Sequence, residues 1–143
     1  MRTIKGRLMA GLPVALVLGI GNALLVAALT SGGVAQTPLK TAHGTIHTAP
    51  ADFAVNAFIV TILLVSVAGL ALGALHARNP ETGVKVWRLL GVVFLIACGV
   101  VPTVLGLAPR ESALLINALH LFAGIPALLL LPDRLIERAE ASS

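Results

Sequence analysis

The sequence predicts an all-α integral membrane protein, a four-helix transmembrane bundle, and three observations carry that prediction. Of its 143 residues, 57% are apolar and 11% charged, with a mean hydropathy of +0.99. Soluble domains run near 45–50% apolar and about 25% charged, and a chain this short leaves too much surface to hide the excess from water. Four stretches have interiors free of Asp, Glu, Lys and Arg, each close to the roughly 20 residues that a helix needs to cross a hydrocarbon core. The basic residues sit in short groups beside those stretches, as membrane flanks do.

The first span covers Leu8 to Leu29, behind Arg2, Lys5 and Arg7. Ala15, Gly19, Ala23 and Ala27 recur at every fourth position, a spacing that lets helix backbones approach closely. The same region resembles a secretory signal, with a basic start, an apolar centre and Gly33-Val34-Ala35 before Gln36. Its apolar stretch exceeds the usual 7–15-residue signal core and contains Asn22, which argues for a retained helix. Cleavage would leave three spans.

A long connection follows, Thr30 to Asp52, rich in Gly, Thr, Ala and Pro. It holds His43 and His47, whose four-residue spacing would align two imidazoles for zinc on a helix, with Asp52 as a conceivable third ligand. Gly44-Thr45-Ile46 is poor helix material and no fourth ligand is evident, so the pair stands only as a weak metal candidate. No cofactor is expected.

The second span runs from Phe53 to Leu75, with Asp52 expected as its N-cap and with Gly69 and Gly73 forming a GxxxG pair suited to close packing. His76 to Val86 reads as a short turn, built on Asn79-Pro80-Glu81-Thr82-Gly83. The third span covers Trp87 to Leu107, Trp87 serving as an interfacial anchor. Ala108 to Glu111 is a tight connection in which Pro109 suits a first helical turn, and Ser112 is expected to cap the fourth span, 112–131. The segment Asp133 to Arg138 should extend that last helix. Pro13, Pro102 and Pro126 are expected to kink their helices. With no internal repeat, residues 1–143 read as one domain.

Orientation follows from charge. Eight of the ten Lys and Arg fall on one side of this wiring, and only Lys40 and Arg110 on the other. The positive-inside rule then places both termini in the cytoplasm.

Several functions are excluded. Every Asp and Glu lies at a boundary or outside the spans, which argues against proton-coupled export through an intramembrane carboxylate. Cys98 is the only cysteine, so neither a disulfide scaffold nor paired-cysteine redox chemistry is available. His76 and His120 lie at different depths and cannot clamp one haem iron. No phosphate loop, nucleophile with an evident base, or ring of charge appears, and the net charge of +4 forms no nucleic-acid patch with interleaved aromatics.

What remains is polar chemistry inside the membrane: Asn22, Asn56, Thr61, Ser66, Cys98, Thr103, Asn117 and His120. Asn22, Asn56, Asn117 and His120 all fall in the outward half of the predicted bundle, the last two at i, i+3 spacing. The leading expectation is that they join helices by hydrogen bonds. The alternative is a polar pocket that binds or passes a small solute. The first expectation makes this a non-enzymatic protein acting through packing or as an accessory, partner-binding subunit; the second makes it a small-solute binder or transporter. Lipid contact is implied by either, and a membrane-protein partner or a homo-oligomer is compatible with both; a nucleic-acid partner is not.

The run Leu75-His76-Ala77-Arg78, then Val86-Trp87-Arg88, Pro102, and Leu119-His120-Leu121-Phe122-Ala123-Gly124-Ile125-Pro126 resembles a family of small four-helix membrane proteins found mainly in actinobacteria, known as a domain of unknown function. The resemblance includes the Asn22-bearing span and covers most of the chain. It implies a bacterial plasma-membrane protein, supplies no catalytic residues, and draws attention to His120.

Overall fold

In the computed structural model the backbone is described over residues 4–33, 38–41, 44–47, 49–104 and 110–140, and side chains over 11–33, 49–100, 104 and 113–134. Four helices follow one another: α1 (Ile4–Ser31), α2 (Pro50–Arg78), α3 (Pro80–Val104) and α4 (Arg110–Glu140). All four are long and apolar enough to span a membrane. In hydrocarbon a helix satisfies its own backbone, which is why these uncharged stretches take that form. Between α1 and α2 lies a small antiparallel hairpin, β1 (Pro38–Thr41) with β2 (Gly44–His47), in which Thr41 faces Gly44 and Pro38 faces His47.

The helix ends differ from expectation in instructive ways. At the start of α2 the capping position is Ala49, with no side-chain cap, followed by Pro50 in the first turn. Proline in the first helical position lacks an N–H that would otherwise go unpaired and its φ suits a helix start, so Pro50 moves the boundary forward and carries Asp52 into the first turn. There Asp52 is exposed and faces the positive end of the helix dipole instead of capping it. Ser112 likewise falls inside α4, which begins at Arg110.

The expected connection from His76 to Val86 collapses to one residue, Asn79. Its extended backbone ends α2, and its side-chain oxygen accepts from the N–H groups of Glu81 and Thr82, at 3.2 Å each. The turn residues seen in the sequence are thus an N-cap with proline behind it. Gly83 completes the junction: a Cβ there would lie 2.8 Å from the carbonyl carbon and oxygen of Leu75 and 2.9 Å from the Cα of His76. The end of α1 is closed by Gly33, at φ +68°, and by the Thr30 hydroxyl donating to the Val26 carbonyl at 2.7 Å. At the other end of the chain α4 passes through both Pro126 and Pro132 and continues to Glu140, so the tail does extend the last helix.

Neighbouring helices run antiparallel, and small residues set the contacts. Gly11 of α1 meets Gly69 of α2, with the Leu131 side chain of α4 against both. Gly19 backs onto Phe58 and Ile62, and Gly21 onto the Phe122 ring. Ala15 and Gly19 of the small-residue stripe are buried inside the chain, whereas Ala27 at its far end is exposed. Gly69 and Gly73 are also buried, so the GxxxG pair serves packing within the bundle. The main core comprises Val14, Ala15, Leu18, Val65, Leu72 and Leu131, with Ala123 and Ala127. Helix α3 stands apart from it. Leu89 is 66% exposed and Ile96 59%, and among the described side chains of α3 only Gly83 is buried.

Candidate functional site: a sided cavity between α2, α3 and α4

Between α3 and the rest of the bundle lies a cavity of about 330 Å³. It extends along α2 from Phe53 to Ala68, roughly 22 Å at 1.5 Å per residue. Small side chains on the facing helices make the space: Ala57, Ala68, Ala123 and Ala127 line it, while Gly91 and Gly124 admit the side chains of Leu128 and Leu95. Asn22 reaches the back wall from α1.

The polar groups gather toward the hairpin end. Asn22 is 3% exposed and its amide nitrogen donates to the Thr61 hydroxyl at 2.8 Å and to the Leu119 carbonyl at 3.4 Å. A carbonyl only accepts, so the atom between those two partners is the amide nitrogen, and this fixes the orientation of the group. The Asn22 Oδ1 is then buried with no hydrogen-bond partner. His120 follows Leu119 directly. Its Nδ1 lies 2.7 Å from the Ile116 carbonyl one turn back, so Nδ1 carries the hydrogen and donates it. In the neutral ring Nε2 is therefore an acceptor.

The far end of the cavity is closed by Trp87, which donates from its indole nitrogen to the Leu128 carbonyl at 3.4 Å. The mouth is at the side. Val60, Leu64 and Phe94 line the cavity and are 50%, 50% and 54% exposed, whereas the lining residues of α4 are half-buried or buried. The opening accordingly lies between α2 and α3, midway along two membrane-crossing helices, where hydrocarbon would meet it.

Of the four residues singled out from sequence, Asn22, Asn56 and His120 meet at this cavity. Asn117 does not. Its Oδ1 is buried without a partner, on a flank of α4 that faces Gly99, where a Cβ would stand 3.6 Å away. Spacing of i, i+3 puts two residues about 60° apart around a helix, enough for His120 to face the cavity while Asn117 faces α3. Asn56 is exposed at the mouth. Trp87, expected only as an interfacial anchor, is a wall of the site, and so is Thr61. The signal for Thr61 was its hydroxyl inside a membrane span, where a polar side chain is expensive.

The weak metal pair has no helix to align it. Residues 44–47 are a β-strand, and His43 lies outside the described residues. Among the described residues no group of three metal-ligating side chains occurs.

Comparison of the chain with protein-family models, curated proteins and solved structures finds no match.

Proposed function

We propose that this is a multi-pass protein of a bacterial plasma membrane, with both termini cytoplasmic, that binds a small and largely apolar solute in the cavity between α2, α3 and α4. The observation that carries the proposal is the cavity's form: apolar walls, a side opening at mid-membrane height, and amide, hydroxyl and imidazole groups gathered toward one end. Ligand sites are typically concave, mostly apolar and furnished with a few fixed polar groups. A protein acting through packing alone gives no reason for a space of this size behind its least buried helix.

Orientation is supported by charge. Arg78, Lys85, Arg88 and Arg134 lie at the Asn79 end of the bundle, and Arg110 at the other. Binding without chemistry is supported by the wall itself, in which His120 is the one titratable side chain among the described lining residues. The resemblance to the actinobacterial family agrees with this location and offers no competing activity.

Trp87 is the sole tryptophan, so its emission reports occupancy. With protein in lipid nanodiscs, 1-bromohexane should quench that emission saturably. Ala57→Phe and Ala68→Phe, which fill the cavity, should leave only the linear quenching of a probe dissolved in lipid. Linear quenching in the wild-type protein would refute the binding site.

A further inference from the structure

Resting on that binding site, we infer that its ligand is an uncharged amphiphile bearing an O–H or N–H donor, seated so that the donor meets His120 Nε2. The chemistry is a matter of what the cavity leaves unmade. Asn22 spends both hydrogens of its amide on Thr61 and Leu119 and is left with a bare oxygen, buried and unpartnered. His120 spends its ring hydrogen on Ile116 and is left with a bare nitrogen. The two residues adjoin through Leu119, whose carbonyl takes the Asn22 hydrogen and whose neighbour is His120. An acceptor without a donor, at the polar end of an apolar space and opposite Trp87, selects a donor.

A lipid acyl chain fits the walls and offers that acceptor nothing. A carboxylate or phosphate would bring further acceptors against it, and a cation would have to shed its water with no carboxylate among the described lining residues to meet it. An alcohol or phenol carries both the donor that His120 lacks and an acceptor of its own. Its one hydrogen goes to His120 Nε2, and its oxygen can take the hydroxyl hydrogen of Thr61, which itself accepts from Asn22. The side opening admits such a molecule from the bilayer, its apolar body lying along Val60, Leu64 and Phe94.

The test compares two probes that differ only in the donor, 4-propylphenol and its methyl ether, as competitors of 1-bromohexane in the Trp87 assay, each corrected for partition into lipid. The phenol should displace the bromide at a roughly tenfold lower membrane concentration than the ether, the worth of one buried hydrogen bond. In His120→Phe the ratio should fall toward one, and His120→Gln, which restores an acceptor oxygen, should recover part of it. Equal displacement by phenol and ether in the wild-type protein overturns the inference and leaves the binding site standing. A full ratio retained in His120→Phe also overturns it. Failure of 1-bromohexane itself to quench saturably removes the site and the inference together. The wild-type comparison holds even if a substituted protein fails to fold.

Discussion

Trp87 donates its indole hydrogen to the carbonyl of Leu128, an oxygen that α4 cannot satisfy by itself because the residue four positions on is Pro132. A proline inside a helix removes one N–H and orphans one carbonyl. Here the donor comes from the neighbouring helix, and it draws the sparsely buried α3 against α4. Trp87→Phe should therefore lower stability in detergent by about 1 kcal/mol, the usual size for one interhelical hydrogen bond. The loss should shrink when Pro132→Ala is also present, because alanine at that position restores the missing N–H. Equilibrium unfolding of both single variants and the double variant measures the coupling.

Asn22 ties three helices together through Thr61 and Leu119. Thr61→Val keeps the shape and removes one acceptor, and should cost about 0.6 kcal/mol. Asn22→Ala removes both bonds and opens space besides, and should cost roughly 2 kcal/mol. If the pair acts as described, the two losses in the double variant will fall short of their sum.

Gly83 and Gly99 lie on the same helix and predict opposite outcomes. Alanine at 83 would press into the backbone of Leu75 and His76, which cannot yield without moving the α2–α3 junction. Alanine at 99 meets Asn117 at an ordinary 3.6 Å. Thermal unfolding should show Gly83→Ala destabilised by about 1–3 kcal/mol, the range for overpacked sites, with Gly99→Ala close to the parent.

The proposed orientation is open to direct labelling. In a Cys98→Ala background, a cysteine at exposed position 82 should react with an impermeant maleimide only after the cells are opened, and one at position 45 in the hairpin should react in intact cells. The reverse pattern would invert the proposed topology.

Much of this architecture was legible in the residues. The four spans are set by the absence of charge over bilayer-length stretches, a condition that lipid imposes regardless of detail. Boundaries were less so, because Asn79-Pro80 can be read as a turn or as a helix stop and start, and only the Asn79 side chain's bonds to Glu81 and Thr82 decide it. The hairpin was missed because four-residue strands carry almost no periodic signal. Asn22, Asn56 and His120 could be singled out because polar side chains are expensive in hydrocarbon. Which of them face one another depends on rotation of each helix about its axis, and that separates Asn117 from His120 despite their closeness in sequence. Apolar cavity walls were invisible, since a leucine facing lipid and a leucine facing a ligand look alike.

The meeting of Gly11, Gly69 and Leu131 has a mechanical consequence. Three staves are clasped at one height with little between their backbones, while the fourth leans on them through an indole and a few leucines. Breathing of this molecule should therefore fall mainly to that fourth stave, which joins its neighbour through the single residue Asn79. Guests of different girth would be accommodated there, and the clasped trio would register almost nothing of their passage.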